Sequence, residues 1–432
     1  MTYDETIEFL YRMQWHGIRM DLAPAARLLD LVGRPYERYP VVHVGGTNGK
    51  GSTAAIVASI FREAGSVVGL YTSPHLIDFT ERIRVDGRAI GREDVVDLAG
   101  ELRARLPPDL DPTFFEFTTA MAFLAFARAE VDVAVVEVGM GGRLDATNLV
   151  RPVVSVITNV EADHERYLGE TIEAIAREKA GIIKPQTPLV TAATRPAALA
   201  VLSARAAECD SPMTVVGRDV FVAGNSPVAF DYHGRTLALD GLSCPLLGRH
   251  QLTNAATALA AIEWGHARGL PVGDEAIRRG LARVEWEGRL EVVKARPRIL
   301  VDGAHNPAGA QALAEFLRVE RARRPAGRLV VVFGILADKD LRGIIECIGV
   351  HADEVVLTAP SYHRAASVDA LRDAASGLQC PVRVIPSLAR ALDETEGRLH
   401  GDDWCVITGS LYTVGEAKAV IQHKGHLSVL RG

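Results

Sequence analysis

Gly46-Thr47-Asn48-Gly49-Lys50-Gly51-Ser52 is the segment with the plainest chemical capacity in this chain. It follows the β-branched run Val41–Val44 and leads into an Ala/Ile-rich stretch, so it reads as a strand, a glycine-rich turn and a helix start. Glycines let backbone N–H groups converge on phosphate oxygens, the helix terminus adds positive dipole, and Lys50 reaches the outer phosphates. The strict P-loop spacing is not met: Val44 stands where the first glycine belongs, and Gly51 follows the lysine. An ordinary glycine-rich turn between strand and helix is the competing account.

Three more polar residues fall just past the carboxyl ends of later strand candidates: Ser73, Glu137 and His164. In an open parallel sheet that is the ligand edge. A hydroxyl, a carboxylate and an imidazole beside nucleotide phosphates suit Mg²⁺, which takes few protein ligands together with phosphate and water oxygens. Singly each has a plainer role, as a turn residue before Pro74, an arginine partner or a helix cap. The run from Gly139 to Asn148 is too polar and glycine-rich to extend a strand, so it lies against a ligand or forms a surface loop. Between Glu178 and Pro185 a helix ends, with Gly181 expected in a left-handed cap; by spacing alone, Lys179 is an exposed helix lysine. Asp302-Gly303-Ala304-His305-Asn306-Pro307 also follows a strand and opens a helix, which makes Asp302 and His305 acid/base or binding candidates. Phe333 to Asp340 and Thr408 to Thr413 end two further strands in the same manner, with loop and capping chemistry as the alternative.

The elements that must position these residues alternate between short apolar runs and amphipathic stretches from Pro40 onward, the pattern of an α/β protein with parallel strands. Strands are expected at Val41–Val44, Val67–Tyr71, Val131–Val138, Val153–Asn159 and Leu189–Ala192, each apolar enough for a sheet covered on both faces. Between Met213 and Leu239 the pattern turns choppy and suggests a small antiparallel insert. A polar, Arg-rich interval from Glu285 to Arg298 precedes a second series at Ile299–Asp302, Leu329–Phe333, Glu354–Thr358, Val382–Ile385 and Trp404–Thr408. The expected organisation is a P-loop-type, mostly parallel sheet domain with a small antiparallel extension over residues 1–295. A C-terminal Rossmann-like, doubly wound domain follows over 296–432, joined near Lys294–Pro297.

With 432 residues, 48% hydrophobic and 24% charged, the chain can bury a large core and is not a disordered or mini-protein sequence. Its 48 Lys and Arg against 54 Asp and Glu leave a net charge of −6, so no nucleic-acid partner is expected. Runs such as Ala120 to Ala127 fall short of the roughly 18 apolar residues of a membrane span. The acidic residues Asp4, Glu5, Glu8, Asp21 and Asp30 do not suit an export signal. Five scattered cysteines fit neither a disulfide framework nor a metal knuckle, and a reducing, cytoplasmic setting is expected.

In order along the chain stand G-T-N-G-K-G-S at 46–52, Y-T-S-P-H-L at 71–76, E-R-I-R-V at 81–85, T-F-F-E-F at 113–117 and E-V-G-M-G-G-R-L-D-A-T-N at 137–148. D-H at 163–164, R-E-K-A-G-I at 177–182, N-A-A-T-A at 254–258, G-R-L-E at 288–291, D-G-A-H-N-P at 302–307 and G-S-L-Y-T-V-G-E at 409–416 follow. Through these segments the chain resembles the folylpolyglutamate synthase/dihydrofolate synthase family, a branch of the Mur ligases. The resemblance implies an ATP-dependent amide ligase that joins L-glutamate to a pteroate or folate carboxylate through an acyl phosphate, with two Mg²⁺ sites and room for a monovalent cation.

By position, the resemblance implies that Gly46, Thr47, Asn48, Gly49, Lys50, Gly51 and Ser52 hold the ATP phosphates and Asn254 meets the adenine, with Arg289 and Asp302 also binding nucleotide. Ser73, Glu137 and His164 correspond to Mg²⁺ ligands, and Lys179 to a lysine that family members carbamylate, which overrules the exposed-lysine reading. Thr113, Phe114, Leu144, Asp145 and Ala146 correspond to the dihydropteroate pocket, and His305, Ser410 and Tyr412 to glutamate contacts. His305 is the choice for removing the ammonium proton. Trp286-Glu287-Gly288-Arg289 departs from the family pattern, in which proline often precedes the glycine. A Mur-type ligase using a UDP-linked peptide is expected to need a further domain ahead of the loop, and 45 residues precede Gly46. An ATP-hydrolysing switch protein would leave the second-half motifs without a role. The partners expected are small molecules, dihydropteroate or folate and L-glutamate, taken up by a monomer.

Overall fold

Every side chain of the run at residues 41–45 is buried, which places it in the middle of a sheet covered on both faces. The computed structural model describes residues 1–13, 17, 19 and 21–422. It divides into two compact units: the first comprises Met1–His75, Phe79–Pro245 and His250–Glu285, the second Leu76–Asp78, Leu246–Arg249 and the chain from Trp286 onward.

The first unit is built on eight strands: β1 (Val41–Gly45), β2 (Val68–Tyr71), β3 (Ile83–Val85), β4 (Arg88–Ala89), β5 (Val133–Glu137), β6 (Val154–Ile157), β7 (Leu189–Thr191) and β8 (Met213–Val215). Their order is β4-β3-β2-β5-β1-β6-β7-β8, parallel except for the β2-β3-β4 edge. The central strand β1 pairs Val44 with Glu137 of β5 and Gly45 with Ile157 of β6. This register sets the ends of three strands level around the glycine-rich turn. Helix α1 (Lys50–Glu63) starts from that turn and is buried from Gly51 to Phe61, a helix apolar on all sides because other elements cover both of its faces. Helix α2 (Phe114–Arg128) supplies Phe117, Phe123 and Phe126 to the core on one side of the sheet. Helices α3 (Ile172–Ala180), α4 (His250–Ala267) and α5 (Asp274–Ala282) belong to the same unit.

The choppy segment resolves into two parts. Met213–Val215 is the last parallel strand, pairing with β7, and residues 221–242 form a separate antiparallel sheet of β9 (Phe221–Ser226), β10 (Ala229–His233) and β11 (Ala238–Leu242). The β3-β4 edge was not expected, because Ile83-Arg84-Val85 is too short to stand out as an apolar run. Gly181 is not left-handed: it sits at φ −62°, and the requirement for glycine is steric, since a Cβ there would collide with the backbone and side chain of Arg143.

The second unit holds β12 (Glu291–Lys294), β13 (Arg298–Asp302), β14 (Leu329–Phe333), β15 (Glu354–Ala359), β16 (Val382–Ser387) and β17 (Trp404–Thr408) in the order β12-β13-β17-β14-β15-β16. All neighbours are parallel except β12 with β13, so the interval around Lys294–Pro297 is a hairpin of this sheet. Helices α6 (Pro307–Arg323) and α7 (Leu411–Ile421) follow β13 and β17. The departure at Glu287 has a structural partner: the Lys418 ammonium, 1% exposed, donates to Glu287 Oε2 at 2.5 Å and to both oxygens of Glu291 at 2.8 Å. Glu291 Oε2 also accepts the Gly288 N–H at 2.7 Å, so this cluster fixes the turn that carries Arg289. Lys418→Met leaves two partly exposed carboxylates without the cation they share and is expected to cost about 2 kcal/mol, the scale of a lost charge-assisted hydrogen bond, read as a lower urea midpoint with an unchanged slope.

Candidate active site

The glycine-rich turn is clamped by the chain that follows β6. The Asn159 side chain accepts the N–H of Thr47 at 3.2 Å and of Asn48 at 2.8 Å. Thr158 Oγ1 donates to the Asn48 carbonyl at 2.6 Å, and Thr47 Oγ1 exchanges hydrogen bonds with the Glu161 backbone. Gly46 lies at φ +135°, and a Cβ there would strike the Thr158 side chain. The backbone donors that converge on an anion are therefore shifted along the chain: Thr47 and Asn48 spend theirs on Asn159, whereas Lys50, Gly51 and Ser52 begin α1, where N–H groups have no intrahelical acceptor. Lys50 Nζ, 3.1 Å from the Thr47 carbonyl, stands over the same turn. Asn254, on α4, packs its amide against Gly49 and donates to Gln251 Oε1 at 2.8 Å; Gln251 Nε2 in turn lies 3.4 Å from Ser52 Oγ. This donor set fits a nucleotide's phosphates.

Ser73 and Glu137 are brought together: the Ser73 N–H donates to Glu137 Oε2 at 3.0 Å, and the carboxylate is 5% exposed. His164 follows β6 with a left-handed backbone at φ +52°, costly for a side chain with a Cβ, and a strain of the kind held at functional positions. Its ring is 44% exposed and reaches to 4.0 Å from Asp163 Oδ1. Among the described residues no group of three or more His, Cys, Asp or Glu side chains is assembled for a metal. A hydroxyl, a buried carboxylate and an imidazole at one sheet edge match the hard, phosphate-shared coordination of Mg²⁺ more than a protein-only cage.

Lys179 is 3% exposed, against the exposure that spacing alone gives it, and its Nζ donates to the Gly46 carbonyl at 2.9 Å. Burial, with Lys50 nearby, pushes its pKa down to about 7, while Asp163 and Asp145 act in the other direction. The end of α3 that carries it is fastened to the polar loop after β5. The Arg143 N–H donates to the Glu178 carbonyl at 2.7 Å, and the Asn148 amide donates to the carbonyls of Arg143 and Gly181 at 3.0 and 3.1 Å.

Within that loop Asp145 is buried, its oxygens accepting the Thr147 N–H at 3.0 Å, the Thr147 hydroxyl at 2.5 Å and the Met140 N–H at 2.9 Å. Desolvation raises its pKa and these hydrogen bonds oppose the rise. The Thr147 hydroxyl also meets His43 Nε2 at 2.9 Å, and burial holds the His43 pKa near 3, so a neutral imidazole on β1 supports the loop. Leu144 is half-buried and Ala146 buried in the same turn. Thr113 caps α2 through a reciprocal pair with Glu116, at 3.3 and 2.6 Å, which fixes Phe114 as the helix's first residue.

In the second unit Asp302 accepts the N–H groups of Leu290 and Ala304 at 3.0 and 2.9 Å, so it braces the turn bearing Arg289, whose Nη1 reaches the Gly288 carbonyl at 3.2 Å. His305 Nδ1 lies 2.7 Å from the Gly303 carbonyl, which holds the proton on Nδ1 and makes Nε2 the basic nitrogen. Ser410 caps α7, accepting the Thr413 N–H at 3.0 Å, and Tyr412 stacks on Tyr362 with ring centres 4.0 Å apart. Thr158, Asn159, Gln251, His43 and Tyr362 were not singled out from sequence; the polar Thr-Asn pair closing an apolar strand was the one available signal.

The Mur ligase middle domain matches residues 44–262, and the Mur ligase glutamate ligase domain matches 288–411. The chain is 35% identical to the dihydrofolate synthase/folylpolyglutamate synthase of Bacillus subtilis over 96% of this chain and 98% of that protein. It is similar to the structure of E. coli FolC in complex with DHPP and ADP (TM-score 0.89, 31% identity, 99% of each chain). It is also similar to the bifunctional folylpolyglutamate synthase/dihydrofolate synthase of Yersinia pestis complexed with AMPPNP and Mn ion (TM-score 0.87, 30% identity, 98% of each chain).

Proposed function

Because the chain belongs to the folylpolyglutamate synthase/dihydrofolate synthase family of Mur ligases, we propose that it is an ATP-dependent ligase joining L-glutamate to dihydropteroate, to (tetrahydro)folate polyglutamates, or to both. The observation that carries this reading is that the segments corresponding to nucleotide, acceptor and lysine positions, 46–52, 139–148 and 178–182, are hydrogen-bonded into one assembly. Lys50 and the first N–H groups of α1 bind phosphate oxygens, and Asn254 meets the base. Ser73, Glu137 and His164 hold Mg²⁺, which when bound neutralises phosphate charge. Lys179, with its amine largely neutral above pH 7, adds to CO₂ and releases a proton, giving a carbamate with the charge of a second metal ligand. Thr113, Phe114, Leu144, Asp145 and Ala146 form the acceptor pocket. Arg289 and Asp302 are further nucleotide contacts, and His305, Ser410 and Tyr412 receive glutamate.

A carboxylate resists amines because it is a resonance-stabilised anion with no good leaving group. Transfer of the γ-phosphoryl group of ATP to the acceptor's carboxylate leaves ADP and an acyl phosphate, with Lys50 offsetting charge on the transferring oxygens. The glutamate amine, its proton taken by His305 Nε2, attacks the acyl carbon; phosphate departs and the amide remains. No helix among the described residues is long and apolar enough to cross a membrane, and all five cysteines are free; a cytoplasmic monomer is part of the proposal.

The test is ADP release by the purified protein with dihydropteroate and with tetrahydrofolate, each with and without glutamate. Glutamate-dependent release is expected with dihydropteroate at least. Its absence with both acceptors would overturn the reading.

A further inference from the structure

Glu81-Arg82-Ile83-Arg84-Val85 has no part in the chemistry above. Arg82 is nevertheless 5% exposed, a cation taken almost wholly out of water. It closes the short turn Phe79–Arg82, and its carbonyl accepts the Thr72 N–H at 3.0 Å, one residue from Ser73. Its Nε donates to His75 Nδ1 at 2.7 Å, and the far nitrogen of that ring lies 3.3 Å from the Tyr11 hydroxyl. The guanidinium carbon stands 5.0 Å from the ring centre of Phe114 and 6.0 Å from that of Phe79, and its charge is felt at the Tyr71 hydroxyl. Among the described residues no carboxylate forms an ion pair with it, and neither Nη1 nor Nη2 donates to a protein acceptor.

A buried charge without a counter-charge costs several kcal/mol, and the other two buried cations among the described residues avoid it in different ways: Lys418 faces two glutamates, and burial pushes the Lys179 pKa down to about 7. The unused edge of a guanidinium is a planar pair of donors matched to a planar oxyanion, and the walls around this one are the neutral rings of Phe114, Phe79 and Tyr71. That is the complement of a flat aromatic acid. We propose that Arg82 binds the carboxylate of the acceptor, holding the aminobenzoate end of dihydropteroate against Phe114. The inference rests on the ligase reading and adds a specificity residue to it.

Direct binding tests it without turnover, by comparing dihydropteroate with its carboxamide. The wild-type protein is expected to bind the acid about 10–100-fold more tightly than the amide, the range set by one charge-assisted contact. Arg82→Gln is expected to bind both alike, and Arg82→Lys to keep part of the difference. A purely structural role would change both affinities together and leave their ratio where it was. Equal binding of acid and amide by the wild type overturns the proposal whatever the variants do, as does Arg82→Gln that keeps the wild-type ratio. The same holds if ATP affinity falls by the factor expected for the acid, which would make a nucleotide phosphate the anion. Glutamate-dependent ADP release by the wild type is scored separately, so loss of the ligase reading and loss of this inference give different results.

Discussion

Lys50→Met is expected to lower glutamate-dependent ADP release by ~10²–10³-fold at saturating ATP, the usual penalty for removing one preorganised charge from a transition state. The preorganisation is visible in the hydrogen bonds around the turn. Lys50 Nζ rests 3.1 Å from the Thr47 carbonyl, and Thr47 is itself fixed through Asn159 and Glu161, so the protein's own contacts hold the ammonium over the turn. The fold is expected to survive, because a cation in the first turn of α1 opposes the helix dipole and methionine is a comparable helix former. A thermal melt no lower than wild type, together with the collapsed rate, separates lost chemistry from lost structure. A rate within threefold of wild type would place the charge that matters elsewhere. The same substitution removes a repulsion from Lys179, whose pKa should rise.

Most of the sheet was legible because its strands are buried on both faces and spell themselves out as near-continuous, Val-rich apolar runs. What escaped was half-exposed or very short: the edge β3-β4, and β12, where Glu291 and Lys294 hide a strand inside a polar interval. The phosphate turn could be read from its glycines, since their purpose is local. The clamp upon it could not, because Asn159 stands 112 residues from Thr47 and only the pairing of β1 with β6 brings them together. Lys179 makes the same point more sharply. Its neighbours in sequence give an amphipathic helix with a lysine at a solvent-facing step, and its burial depends on the loop from Gly139 to Asn148 closing over the helix end. Family resemblance located that lysine where periodicity pointed the other way.

Lys179→Met is expected to abolish ligation while making the apo protein more stable near neutral pH, two effects of opposite sign from one buried group. The unfolded chain keeps the lysine proton to about pH 10.5 and the folded chain releases it near 7, so between those values the unfolded state binds more protons and wild-type stability rises with pH. The penalty for burying the charge is thus fully present below pH 7 and fades toward 10, by up to about 1.4 kcal/mol per pH unit. Methionine fills similar volume without that penalty, giving up only the hydrogen bond to Gly46. Urea midpoints at pH 6.5, 8 and 9.5 are therefore expected to favour the variant most at the lowest pH, with its advantage shrinking as pH rises; an advantage that stayed the same at all three would mean Lys179 keeps its charge when folded. The activity half follows from the same protonation state. An amine that is neutral near pH 7 reacts with CO₂ where an ordinary lysine does not, so wild-type enzyme freed of bicarbonate below pH 6.5 should lose activity and regain it with bicarbonate at pH 8. Lys179→Met should respond to neither treatment. Full activity of the variant would end the carbamate assignment, and bicarbonate-independent activity of the wild type would leave Lys179 acting as a plain cation beside Lys50.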